Sequence, residues 1–92
     1  MAFWEGVIYV GNAAAKQPFI HELIGFAPGN AFITVETNSI RYRYGGATPD
    51  VADGHLLEVG QSIVVHAPDV ENFKAISTSA NGSKLVATIK GK

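Results

Sequence analysis

The fold this sequence predicts is a small all-β domain, a β-sandwich or partly open barrel of about six to eight mostly antiparallel strands. Three observations predict it. Turn signals recur at short intervals: Gly11-Asn12, Pro28-Gly29-Asn30, Thr37-Asn38, Gly45-Gly46, Pro49-Asp50, Asp53-Gly54, Val59-Gly60, Pro68-Asp69 and Asn81-Gly82. Between them lie short runs rich in β-branched and aromatic residues, several alternating with period two. Ten glycines leave helical periodicity little space to develop.

In chain order, the first strand is expected over residues 6–10, Gly-Val-Ile-Tyr-Val, and the second over 19–24, Phe-Ile-His-Glu-Leu-Ile. Residues 31–36 place Ile33 and Val35 on one face, with Phe32 and Thr34 on the other. Alternation is clearest over 39–44, where Ile40, Tyr42 and Tyr44 oppose Ser39, Arg41 and Arg43. The tyrosines are expected to face the core, and the arginines to lie in water or pair with Glu36 or Glu58. Residues 61–66 carry Ile63-Val64-Val65, an apolar centre suited to a fully buried strand. Residues 73–78 and 84–90 flank Asn81-Gly82, the strongest short-range hairpin signal, so a terminal hairpin is expected. In its second arm Leu85, Ala87 and Ile89 alternate with Val86, Thr88 and Lys90. Helical turns are possible only near Ala13-Ala14-Ala15-Lys16 and Pro68 to Asn72.

Ninety-two residues make one domain, 1–92, with no repeat and no linker. A chain this short needs a well-filled core or one shared with a partner. The 47% hydrophobic share, with five Phe, three Tyr and one Trp, is enough to fill one. The charged share is 16%, against roughly 25% for soluble domains, and neutral surface is the easier kind to bury against another protein. Seven Lys and Arg against eight Asp and Glu leave no basic excess, so nucleic-acid binding is not expected. No apolar run is long enough to span a membrane. The start Met1-Ala2-Phe3-Trp4-Glu5 lacks the features of a signal peptide, and the chain is expected to fold unprocessed in a cytoplasm.

Little in the sequence suggests catalysis. The absence of cysteine excludes thiol nucleophiles, disulfides and Cys-ligated zinc. His21, His55 and His66 fall on three different segments, and their spacing does not bring them together as metal ligands or as a general base. They read as ordinary surface or edge-strand histidines. Asp50 and Asp53 share a loop without the EF-hand pattern and read as turn formers. No Gly-x-Ser-x-Gly elbow, Walker loop or Rossmann fingerprint is present. Asn81-Gly82-Ser83 matches a glycosylation sequon, but the turn explains it. No catalytic, cofactor-binding or metal-binding residue is therefore expected. Two features remain for partner binding: the pair Phe3-Trp4, which would either plug the core or anchor in a partner's pocket, and the ladder Arg41-Tyr42-Arg43-Tyr44, which reads first as an ordinary amphipathic strand. The loop carrying Gly45, Gly46, Pro49 and Asp50, stiffened by its proline, also suits docking.

The loop belongs to a longer skeleton: Ile40-Arg41-Tyr42-Arg43, then Gly45-Gly46 and Thr48-Pro49, then Gly54-His55-Leu56-Leu57, then Gly60 and the polar pair Gln61-Ser62. Residues 31–90 resemble a group of small tailed-bacteriophage virion proteins, β-sandwich modules for head decoration or accessory structure. Phe73-Lys74-Ala75-Ile76 and a final strand fit the usual ending of that group, while residues 1–30 match nothing recognisable. The resemblance implies a non-enzymatic virion protein, made in the bacterial host cytoplasm, that decorates or cements the capsid. Its partners would be the major capsid protein, other virion proteins or a second copy of itself. The neighbouring implication is a neck or tail adaptor or completion protein. A rival from another class is a carbohydrate-binding module, for which Trp4, Tyr42 and Tyr44 would be stacking platforms. A small hydrolase has no constellation to support it.

Overall fold

The computed structural model describes residues 3–91, with the side chain of His21 left out of the description. Its strands are β1 (Phe3–Val10), β2 (Pro28–Thr37), β3 (Ile40–Arg43), β4 (His55–Leu57), β5 (Ser62–Val65), β6 (Lys74–Ser77) and β7 (Ser83–Gly91). Two helical turns, α1 (His21–Ile24) and α2 (Asp69–Asn72), complete it. One sheet has the order β1-β7-β2-β5 and the other β4-β3-β6, with every pairing antiparallel. This is the expected small all-β sandwich.

Period-two burial puts the core between the sheets. Ile8 and Val10 of β1, Ala31, Ile33 and Val35 of β2, and Leu85, Ala87 and Ile89 of β7 face inward from the first sheet. Ile40, Leu57 and Ala75 meet them from the second. Phe19, Ile24, Val70 and Phe73 plug the space from the connections. The inward sets of β2 and β7 are the ones their alternation predicts.

Three expectations are corrected. Residues 19–24 are not a strand. Leu23 and Ile24 N–H groups both donate to the Ile20 carbonyl, which winds α1, and Gly25 ends it at φ 87°. β5 is not buried on both faces. It is the edge of the first sheet, so its period-two geometry turns Ile63 and Val65 inward and leaves Val64 exposed. The last two strands are not a hairpin. β6 pairs with β3 and β7 with β1 and β2, so Asn81-Gly82 carries the chain from one sheet to the other.

That crossing is held locally. Gly82 takes φ 79° and donates to the Ser79 carbonyl at 3.0 Å. The buried hydroxyls of Ser77 and Ser83 meet at 2.7 Å across the turn, which gives each a partner away from water. Asn38, the one described non-glycine residue with positive φ, makes the opposite crossing from β2 to β3. Its amide donates to the Gly82 carbonyl at 2.7 Å, so the two crossings brace each other.

Candidate functional site

Phe3 and Trp4 were expected to act together outside the first strand. The structure places both inside β1, paired with Lys90 and Ile89 of β7, and therefore on opposite faces. Trp4 turns inward against the core. Its ring lies over Gly6, where a Cβ would come within 3.1 Å of the indole. Phe3 turns outward and is exposed. Of the two roles open to the pair, the core plug describes Trp4, and only Phe3 is left exposed.

Phe3 is one residue of a larger surface. Strand register lays out the outer face of the first sheet row by row: Phe3, Lys90, Asn30; then Glu5, Thr88, Phe32, Val64; then Val7, Val86, Thr34, Ser62; then Tyr9 and Lys84. Phe3, Val7, Tyr9, Phe32 and Val64 are between 43% and 68% exposed. Exposed apolar residues are ordinary singly, but five on one flat face form a patch of the kind that marks an interaction surface. Charge on the face is sparse and balanced. Lys84 pairs with Glu36 at 3.7 Å, Glu5 accepts from the Thr88 hydroxyl at 3.0 Å, and His66 meets Asn30 at 3.1 Å. Covering it would therefore strip water from few unpaired ions.

The second sheet presents its outer face differently, because the 44–54 loop lies across it. Lys74 Nζ reaches Thr48 Oγ1 at 3.4 Å, and Arg43 pairs with Asp53 at 2.8 Å. Arg41 Nη1 donates to the Gly54 carbonyl at 3.2 Å. Glu36 and Glu58, the acids expected to meet these arginines, are not their partners. Arg41 is not in water either: it is half-buried, and its Nε is shielded without a hydrogen-bond partner. Gly54 makes this close approach possible. It sits at φ 126°, and a Cβ there would come within 3.1 Å of the Pro49 side chain and 3.2 Å of the Tyr42 carbonyl.

Within the loop the four predicted residues divide. Gly45 and Gly46 are exposed, Gly46 with φ 101°. Pro49 is buried against the sheet and presents nothing to a partner. Asp50 exchanges backbone hydrogen bonds with Asp53, and its carboxylate accepts from the Ala52 N–H at 2.9 Å. That is the turn-forming role its position beside Pro49 predicts.

Beside the loop runs a chain of aromatic rings. Phe19 and Phe73 pack in a tilted pair at 5.4 Å in the core, Phe73 meets Tyr42 at 5.6 Å, and Tyr42 meets His55 at 5.3 Å. Tyr44 lies 6.3 Å from Tyr42 and 6.4 Å from His55. The row emerges at a cleft of about 300 Å³ lined by Arg43, Tyr44, Gly45, Ala47 and His55. Burial, followed by the neighbouring Tyr44, pushes the Tyr42 phenol above its ordinary range. His55 was read only as an edge-strand histidine. Nothing in sequence spacing marks it as Tyr42's neighbour, since their contact comes from the β3–β4 register. Among the described residues, no group of three or more His, Asp or Glu side chains converges to hold a metal ion.

Compared with protein-family models, curated proteins and solved structures, the chain matches none.

Proposed function

We propose that this protein is a non-enzymatic structural module of a tailed-bacteriophage virion, a decoration protein that cements the major capsid protein. The surface that does the work is the outer face of the β1-β7-β2-β5 sheet. The observation that supports this reading is the run of Phe3, Val7, Tyr9, Phe32 and Val64 exposed together on one sheet face. Burying such a face releases water from apolar surface at roughly 25 cal/mol per Å², while the rigid sheet loses little conformational entropy. A single contact of modest strength, repeated over a symmetric shell, stabilises the whole. The virion partner itself comes from the resemblance of residues 31–90. Peptide mass spectrometry of purified virions tests the assignment: the chain should be present in many copies, and its absence from intact particles removes the virion reading. A neck or tail adaptor would instead be found in a few copies per particle.

A second reading has its own observation. Tyr44 and His55 stack at the mouth of the cleft beside Arg43, an arrangement that would place a sugar ring against an aromatic face. This is the carbohydrate-binding alternative, moved from Trp4 to Tyr44 because Trp4 faces inward. Glycan-array binding that is lost in Tyr44→Ala but kept in Phe32→Glu would favour it over the capsid reading.

A further inference from the structure

The geometry points to a homodimer formed through β1, whose open edge pairs antiparallel with the same strand of a second copy. Sheet edges are normally shortened, covered or interrupted, because unpaired backbone groups recruit other strands. Here β4 is three residues long and β5 four. β6 is covered by the chain itself, through backbone hydrogen bonds between Ala75 and Lys16 and between Ser77 and Gly11. β1 is neither short nor paired with the chain's own backbone: Lys16, Pro18, Leu23 and Ile24 flank a cleft of about 260 Å³ beside it, and the Lys16 side chain reaches its edge at Tyr9. The strand runs for eight residues, contains no proline or lysine, shows no bulge against β7, and carries one charge, Glu5.

In an antiparallel ladder successive residues point their N–H and C=O groups to opposite sides. The Tyr9 carbonyl accepts from Lys16 Nζ at 3.3 Å, on the side away from β7. Phe3, Glu5 and Val7 share its direction by alternation. Among the described residues no further backbone hydrogen bond reaches these groups. Each offers one donor and one acceptor to the open edge.

A two-fold axis at Gly6 satisfies them all. It sets Phe3 opposite Tyr9 of the second copy and Glu5 opposite its Val7, and the same pairs recur by symmetry. Each pair exchanges both backbone hydrogen bonds. The Tyr9 carbonyl retains a lone pair for Lys16. Two aromatic cross-strand pairs form on the outer face, and the two Glu5 carboxylates are kept off each other. At the axis the two Gly6 residues form the closely spaced, non-hydrogen-bonded pair, where a missing Cβ is no loss. The axis at Val7 is inferior, because it leaves Phe3 unpaired. The preferred register joins two four-stranded sheets into one, with a single outer face running across both copies. The inference does not depend on the capsid reading: it needs only the strand edge.

Sedimentation equilibrium of the full chain, from micromolar to millimolar concentration, tests it together with hydrogen exchange. The expected mass rises with concentration toward twice the 9.7 kDa of one chain. As it rises, the amides of Glu5, Val7 and Tyr9 should gain protection at least tenfold, while those of Gly6, Ile8 and Val10 are protected throughout. Val7→Pro deletes a donor on the open edge and leaves the β7 ladder intact, so it should hold the folded chain as a monomer. Val64→Lys, on the same face but three strands away, should still dimerise. Wild-type chain that stays monomeric at every concentration overturns the inference. So does a dimer that survives Val7→Pro and is broken by Val64→Lys, since that pattern describes face-to-face stacking.

Discussion

Arg41 and Tyr42 are neighbours in β3, and their contrast shows how far alternation alone can rank residues. It correctly sends Tyr42 inward, where it stacks on Phe73 at 5.6 Å. It cannot foresee that the outward face is itself covered, because that depends on where the 44–54 loop returns. Tyr42→Ala should therefore cost about 2–4 kcal/mol, as truncation of a half-buried aromatic does. Arg41→Ala should cost about 1 kcal/mol, more than an exposed arginine, since it releases the bond to Gly54. Urea melts of the two variants check the order. Alkaline stability gives a second test. Because the folded Tyr42 phenol lies above its ordinary 10.0, the unfolded chain gives up that proton first as pH rises. The stability tied to this proton is complete below pH 10.0 and is lost as pH climbs through the raised folded value. Tyr42→Phe should flatten that alkaline loss in a melting series, and an unchanged slope would assign it to other groups.

Among the elements, β2 and β7 were legible because each buries alternate residues against one core, so a period of two is written into both. The elements that misled did so for identifiable reasons. Ile63-Val64-Val65 reads as buried in sequence, yet an edge strand with an exposed apolar residue uses the same residue types as a central one. Asn81-Gly82 marks a turn correctly, but a turn signal does not say whether the flanking strands pair with each other. β1 shows the largest consequence. Since Phe3, Trp4 and Glu5 pair with Ile89 and its neighbours, residues 3–5 are no detachable arm. Their removal should lower the melting temperature before it affects binding. Trp4→Ala alone should cost about 2–3 kcal/mol, from the loss of an aromatic packed over Gly6. Thermal denaturation followed by circular dichroism measures both, and an unshifted midpoint would return Trp4 to the partner-binding role.

At the scale of the whole molecule, the two sheets divide the labour. The second is closed on its outer side by its own loop, with Arg43–Asp53 and Lys74–Thr48 pinning it down. The first is bare, and its bareness was hidden in the sequence: the outward residues of β1, β2 and β5 lie far apart along the chain and converge only through strand order. Sparse charge, 16% of residues, was the one sign of it that composition carried. A face built this way should bind by apolar burial and so resist moderate salt, unlike an association held by exposed ion pairs. The central claim is that this face docks on a capsid. Co-sedimentation of the purified protein with undecorated tailed-phage capsids measures that most directly, comparing wild type with Phe32→Glu. The account predicts saturable wild-type binding in 0.5 M salt and a loss of at least tenfold in affinity for the folded variant. Equal binding by the two proteins, or no binding by wild type, would contradict it.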